Sequence, residues 1–143
     1  MALSDWRGIL ITPGVRFVDL QYGDTAAERT GVETETGVRI LHDDAIDQMA
    51  NLDVFAAQVA AMDLVITISN TTAHMAGALG VPVWILLSAV PMWRWFQGCE
   101  NSPWYPSARL FRQAEAGEWM PVINSVVAAL RRHLEDLANK DEN

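Results

Sequence analysis

The chain has a single cysteine, few basic residues and no long apolar run. Cys99 has no partner in the sequence, so an internal disulfide is excluded and a reducing compartment is expected. The net charge of -8 argues against a broad nucleic-acid or anionic-membrane surface, which would need clustered basic residues. No apolar stretch approaches the roughly 20 residues of a membrane span. Residues 9–11 are too short for the core of a signal peptide. We therefore expect a cytoplasmic protein that has no membrane span and binds no nucleic acid.

Several signatures of catalytic and cofactor sites are also missing. The chain has no Gly-x-Gly-x-x-Gly, no Walker loop, no Gly-x-Ser-x-Gly elbow and no cysteine pair for zinc. His42, Asp43 and Asp44 are of metal-ligand type, but no fixed ligand spacing supports them, and a solvated acidic loop is expected instead. A hydrolase built on Ser69 and His74 lacks an acid to orient the histidine. The sequence thus predicts neither a metal site nor a cofactor.

Residues 64–82 form the most informative part of the chain. A continuous apolar run ends at Ser69 and Asn70, a helix of small residues follows and stops at Gly80, and a second apolar run begins at Val83. This order is typical of a buried strand, a capped helix and a second buried strand, which together make a β-α-β unit of a parallel sheet.

Alternating apolar segments extend this pattern along the chain. With 143 residues, half of them hydrophobic, the length fits one domain with a real core. We predict a single Rossmann-like α/β domain over residues 1–143, with a parallel sheet of about five strands and helices on both faces. The predicted strands are 15–20, 38–41, 64–68, 83–87 and 108–111. The predicted helices are 3–10, 23–29, 53–62, 71–79 and 121–137. The remaining segments are an acidic loop at 42–47, a tryptophan-rich loop at 88–106 and a polar tail at 139–143.

Ligands of parallel sheets bind beyond the carboxyl ends of the strands. Four segments of this chain follow predicted strands and are therefore expected to lie together at that edge of the sheet. These are residues 21–23, 42–44, 69–72 and the chain from Ser88 onward. At 69–72 a strand meets the start of a helix, where free amides and the helix dipole favour a phosphate. Basic residues also dominate between Trp84 and Gln113, so an anion site is expected in the second half of the chain.

Each candidate side chain has a structural alternative. Asn70 or Ser69 could simply cap the helix, which uses the same groups as an anion site. His74 could be a structural histidine rather than a ligand. Arg94 could reach a phosphate or form a surface ion pair. The four tryptophans within or beside the 88–106 loop could stack on a base or sugar, or pack the loop on the sheet. They are Trp84, Trp93, Trp95 and Trp104, and packing is favoured for Trp84 and Trp104.

Taken in order, these segments resemble a known family. They are DLVITISNTTAHMAGALGVPVW (63–84), WRW (93–95), SPWYP (102–106) and RLFRQ (109–113), together with FVDLQYGD (17–24). The series resembles the C-terminal domain of heptosyltransferase-like glycosyltransferases, in particular the branch often fused to tetratricopeptide repeats.

The resemblance implies the donor-binding half of a GT-B fold and a nucleotide sugar or nucleoside diphosphate as ligand. By position, Asn70, Thr71 and Thr72 would contact the phosphates and His74 would support them, while Gln21 and Tyr22 would face the same cleft. Ser69 stands where the family commonly has an acidic residue that faces the donor sugar. The acceptor domain, which supplies the catalytic base in such enzymes, is absent from these residues.

Three functions remain open at this stage. The first is donor binding in an inverting, metal-independent glycosyltransferase, whose isolated domain would be inactive without its acceptor domain or tetratricopeptide region. The second is a non-catalytic ligand-binding or protein-interaction module derived from such a domain, which Ser69 favours. The third is a homodimer formed through the apolar face of the predicted helix 121–137.

Overall fold

The computed structural model describes residues 1–141, which form five strands and five α-helices. The strands are β1 (Phe17–Val18), β2 (Ile40–Leu41), β3 (Val65–Ile68), β4 (Val83–Leu87) and β5 (Ala108–Arg112). The helices are α1 (Arg7–Leu10), α2 (Ala26–Thr36), α3 (Leu52–Ala60), α4 (Thr71–Leu79) and α5 (Met120–Asp141). Two short 3-10 turns span Leu3–Trp6 and Trp93–Trp95. The predicted α/β fold with parallel strands is confirmed, and it is broadly Rossmann-like.

The strands form two small sheets where one of about five strands was predicted. β1 pairs with β2, and β3, β4 and β5 pair in that order, always in parallel. Both strands of the smaller sheet have only two residues. The predicted strand 15–20 is cut short because the Asp19 carboxylate accepts the backbone amide of Gln21 and turns the chain.

The chain divides into two compact units. The first combines Met1–His42 with the segment from Trp119 onward, and the second is Asp43–Glu118. In the second unit all five residues of β4 are buried, as expected for the central strand of a parallel sheet. The β3-α4-β4 segment therefore forms the predicted β-α-β unit, with Val65 opposite Val83 in the register.

In the first unit, α5 packs along α1 at a close approach. A Cβ atom at Gly8 would lie 3.4 Å from Val127 Cγ2, so the small residue lets the two helices meet. The apolar face of α5 is covered within the chain, which leaves little apolar area on it for a second copy. Homodimerisation through this face stays a prediction. The buried α5 residues are Val122, Ile123, Val126, Ala129 and Leu130.

Two further predictions of local structure need correction. The helix predicted at 23–29 instead runs from Ala26 to Thr36, because Val32 is buried and Gly37 ends the helix in the left-handed conformation with φ 72°. The tail predicted at 139–143 is helical as far as Asp141, and residues 142–143 lie outside the described part of the chain. Among residues 1–141, no helix combines the length and apolarity needed to cross a membrane.

Candidate functional site

The candidate site lies where β3 ends and α4 begins. Asn70 is in an extended conformation and its side-chain oxygen accepts the amide of Ala73 at 3.1 Å, so it is the N-cap of the helix. The same oxygen accepts the hydroxyl of buried Thr67 on β3, also at 3.1 Å. This pair of bonds ties the helix start to the strand. It leaves the amides of Thr71 and Thr72 without an acceptor in the helix.

The two threonines differ in exposure. Thr71 is exposed, whereas Thr72 is buried with 8% of its surface accessible. The Thr71 side chain is therefore open to a ligand at the helix start. Thr72 offers its backbone amide more readily than its hydroxyl.

Ser69 is engaged by a residue far away in the sequence. Its hydroxyl accepts the indole N–H of Trp95 at 2.8 Å, and the Trp95 side chain is fully buried. The residues after β3 and the loop after β4 are thus in contact, as the sequence predicted for these two segments. Full burial also means that Trp95 packs the loop and does not offer its ring to a ligand.

His74 makes one hydrogen bond through each ring nitrogen. Its Nδ1 lies 2.9 Å from the Tyr105 hydroxyl, and its Nε2 lies 3.1 Å from Nη1 of Arg94. A guanidinium group can only donate, so Nε2 must be the acceptor. A neutral imidazole then carries its proton on Nδ1 and donates it to Tyr105. The Arg94 contact therefore selects one protonation state and one tautomer, and the Tyr105 hydroxyl, which can donate or accept, accepts the Nδ1 proton.

The environment of His74 also lowers its pKa below the ordinary value of about 6.5. Burial is the larger cause because it disfavours the charged imidazolium, and the positive charge of Arg94 adds to it. The pKa shift and the hydrogen-bond geometry agree that His74 is neutral at pH 7.

Two aromatic rings enclose the imidazole. The Trp95 ring stacks on His74 with centroids 5.1 Å apart, and the Tyr105 ring meets it edge-on at 5.7 Å. Tyr105 also lies against Gly77, one turn further along α4, where a Cβ atom would be only 2.4 Å from the Tyr105 ring. Glycine at this position is what allows the ring to approach the helix.

Positive charge gathers at the same edge of the sheet. Arg94 is half-buried against His74, and Arg112 at the end of β5 donates from Nη2 to the carbonyl of Trp95 at 3.2 Å. Arg94 Nε and Arg112 Nη1 are buried without a hydrogen-bond partner among the described residues. These two buried donors are not satisfied by the described part of the chain, which is uncommon for buried polar groups.

The remaining tryptophans of the loop fall into different environments. Trp84 is buried in β4 and packs against the Phe111 ring at a tilt of 48°, so its predicted packing role is confirmed. Trp104 is 54% exposed and packs less than predicted, although its indole donates to the carbonyl of Arg94 at 3.0 Å. Trp93 is 75% exposed and is the ring of this loop most open to a ligand.

Gln21 and Tyr22 belong to the first unit and are both exposed. Their role in a cleft shared with Thr71 stays a prediction. In the same unit, Asp19 binds three side chains through one carboxylate oxygen: those of Thr25, Arg29 and His42. His42 is therefore part of a structural network and not only of an acidic loop. Within residues 1–141, no three His, Cys, Asp or Glu side chains form a metal-binding group.

The partners that orient Ser69 and His74 could not be predicted from the local sequence. The orienting group expected for His74 was an acid, whereas its Nδ1 contacts Tyr105, 31 residues further along the chain. Gly77 was a usable signal, because a glycine one turn after a helical histidine indicates that a bulky group approaches the same face.

Comparison with known proteins gives one substantial likeness. The chain is 46% identical over 126 residues to Protein FlbA of Caulobacter vibrioides, and these residues are 88% of this chain but 21% of FlbA. The chain thus spans about a fifth of the length of the curated relative it matches. No protein-family model and no solved structure matches the chain.

Proposed function

We propose that this chain is the donor-binding domain of a heptosyltransferase-like, inverting and metal-independent glycosyltransferase. The start of α4 binds the diphosphate of a nucleotide sugar or nucleoside diphosphate. The proposal is carried by the arrangement at the start of α4. This capped helix start follows the carboxyl end of a parallel strand, and Arg94 is hydrogen-bonded to His74 of the same helix.

The amides at the helix start supply the first part of this binding. The amides of Thr71 and Thr72 need acceptors outside the helix, and the helix dipole adds partial positive charge at this end. A phosphate oxygen provides both an acceptor and a negative charge. In a transfer reaction the same groups would stabilise the leaving diphosphate.

The arginine supplies the second part. Arg94 carries a full charge, and its contact with His74 holds it beside the helix that bears Thr71. Since the chain has a net charge of -8, such local positive charge is needed to attract an anionic ligand. His74 supports the phosphates indirectly, through Arg94.

The other roles follow from the resemblance. Gln21 and Tyr22 would contribute to the donor cleft, and an acceptor domain would bring the catalytic base and the acceptor hydroxyl. Such an acceptor domain, or a tetratricopeptide region, is the expected partner. Without it the residues of this chain bind donor but do not transfer sugar, because the base and the exclusion of water are missing.

A charge placed at Thr71 tests the proposal. Thr71→Asp puts a carboxylate where the phosphate would bind, and we expect it to weaken binding of a nucleoside diphosphate at least about tenfold through like-charge repulsion. Because a carboxylate in the first helical turn stabilises the helix by about 0.3–1 kcal/mol, the melting temperature should not fall. Isothermal calorimetry with UDP, GDP and ADP measures the affinity.

Thr71→Ser is the matched control, since it keeps a hydroxyl at the helix start and adds no charge. It should bind within about twofold of the unmodified chain. Equal affinity of Thr71→Asp and Thr71→Ser would contradict the proposed phosphate position.

A second candidate function is a binding module that keeps the diphosphate site without transfer. The observation in its favour is Ser69, whose hydroxyl accepts from Trp95 and which stands where the resemblance implies an acidic residue facing the donor sugar. Calorimetry with nucleotide sugars separates the two functions. A transferase domain should bind a particular nucleotide sugar more tightly than the corresponding diphosphate, whereas a module that holds only the diphosphate should bind both equally.

A further inference from the structure

Two residues of the 88–106 loop, Trp104 and Tyr105, are connected to Arg94. Tyr105 reaches it through His74, and Trp104 contacts it directly. Tyr105 lies 2.9 Å from His74 Nδ1, and Arg94 Nη1 lies 3.1 Å from His74 Nε2. The backbone of Arg94 is fixed as well, because its carbonyl accepts the indole N–H of Trp104 at 3.0 Å. The direction of the guanidinium group therefore depends on what His74 presents to it.

Only one arrangement of protons satisfies both contacts of His74. Arg94 requires a lone pair on Nε2, so the single proton of the neutral ring must be on Nδ1. That proton needs an acceptor, because leaving a donor unpaired in a half-buried site is unfavourable. The Tyr105 hydroxyl is that acceptor, and its own proton is left free to point elsewhere.

We propose that Tyr105 is a positioning residue: by accepting the Nδ1 proton of His74, it keeps Nε2 as an acceptor and thereby orients Arg94 beside the start of α4. The expected consequence, tighter binding of a diphosphate when Arg94 is oriented by Tyr105, rests on the proposed function. The mechanism, the coupling of Tyr105 to Arg94 through His74, is independent of any ligand.

Other charged groups do not compete for this role. The groups that face His74 through hydrogen bonds are Tyr105 and Arg94, and its ring faces are covered by the aromatic rings of Trp95 and Tyr105. Arg94 is the charged group that perturbs the pKa of His74, and no carboxylate does so. Without the Tyr105 hydroxyl, the neutral ring can carry its proton on Nε2 instead. The Nε2–H and the Arg94 N–H would then both be donors, and the hydrogen bond between them would be lost.

Tyr105→Phe tests the inference, since it removes the hydroxyl and keeps the ring against Gly77. In the ¹⁵N-labelled full chain, long-range ¹H–¹⁵N spectra should show the Nδ1-protonated tautomer of His74. The variant should shift the proton toward Nε2 and speed the exchange of the Arg94 side-chain N–H groups. Calorimetry with inorganic pyrophosphate should show affinity about three- to tenfold lower, the value of one hydrogen bond.

A double-mutant cycle separates positioning from a merely structural effect. If Tyr105 acts through Arg94, Tyr105→Phe should have no further effect on pyrophosphate affinity in an Arg94→Gln background. Arg131→Gln, which removes an exposed arginine of α5, is the charge control and should bind normally.

The outcomes are distinguishable. An unchanged His74 tautomer in Tyr105→Phe, or an equal loss of affinity with and without Arg94, would overturn the inference. Failure of the unmodified chain to bind pyrophosphate would contradict the proposed function. In that case the tautomer and the Arg94 exchange rates would still decide whether Tyr105 positions Arg94.

Discussion

His74 shows how a single residue is defined by neighbours that the local sequence does not contain. Its tautomer is selected by Arg94, its Nδ1 proton is accepted by Tyr105, and its ring is enclosed by Trp95 and Tyr105. A histidine in such a setting acts as a fixed neutral acceptor. Its ordinary role as a group that gains charge near neutral pH is suppressed.

The lowered pKa of His74 gives a pH dependence of stability. Between the lowered folded pKa and the unfolded pKa of about 6.5, the unfolded chain binds more protons than the folded chain. The free energy of unfolding should therefore fall as the pH drops below about 6.5. Urea unfolding of the unmodified chain and of His74→Gln at pH 8, 7, 6 and 5 measures the difference.

His74→Gln lacks the titrating ring, so its stability should decline less over this range. Parallel curves for the two proteins would show that His74 titrates alike in the folded and unfolded states. His133→Gln serves as a control, since it removes a histidine of α5 that lies outside this cluster.

At the scale of elements, α3 and α4 are both capped by an asparagine, but the two asparagines accept hydrogen bonds from different groups. Asn51 accepts the amides of Asp53 and Val54, which are both within its own helix. Asn70 accepts one helix amide and also the hydroxyl of buried Thr67 on β3. The cap of α4 therefore joins helix to strand, whereas the cap of α3 is local.

This difference predicts unequal costs for two identical substitutions. Asn51→Ala should destabilise the chain by about 1 kcal/mol, the usual value of an N-cap. Asn70→Ala should cost about 2–3 kcal/mol, because the Thr67 hydroxyl is also left buried without its partner. Thermal and urea unfolding of both variants measures the two costs, and equal values would contradict the connection to β3.

Several elements could be predicted from local sequence because their boundaries are set locally. The helix predicted at 71–79 is observed as Thr71–Leu79, since Asn70 caps its start and Gly80 ends it in the left-handed conformation with φ 75°. The strand predicted at 83–87 is observed as Val83–Leu87. Pairing of β1 with β2 in a separate sheet could not be predicted, because the apolar pattern does not specify which strands pair.

At the scale of the whole molecule, α5 contributes to the core and does not leave an apolar face open. Val126 is fully buried, whereas Leu137 near the end of the helix is 41% exposed. The periodic apolar positions that suggested a dimer interface are accounted for by packing within the chain.

Two truncations on α5 test this assignment. Val126→Ala should lower the free energy of unfolding by about 1–3 kcal/mol because it removes buried methyl groups, while Leu137→Ala should cost less than about 1 kcal/mol. Neither should change the molar mass measured by light scattering. If Val126→Ala had half the molar mass of the unmodified chain at unchanged stability, the result would support a dimer through this face of α5.

The sequence by itself determined the α/β class, the β-α-β unit around α4 and the position of the turn between β3 and α4, because apolar periodicity and helix caps act over a few residues. Only the tertiary structure decided how the strands divide into two sheets and which face of α5 is covered. It also decided which residues meet at the turn. Trp95 reaches Ser69 and Tyr105 reaches His74 across 26 and 31 residues of chain, and such contacts depend on how the loop folds back over α4, which no local pattern specifies.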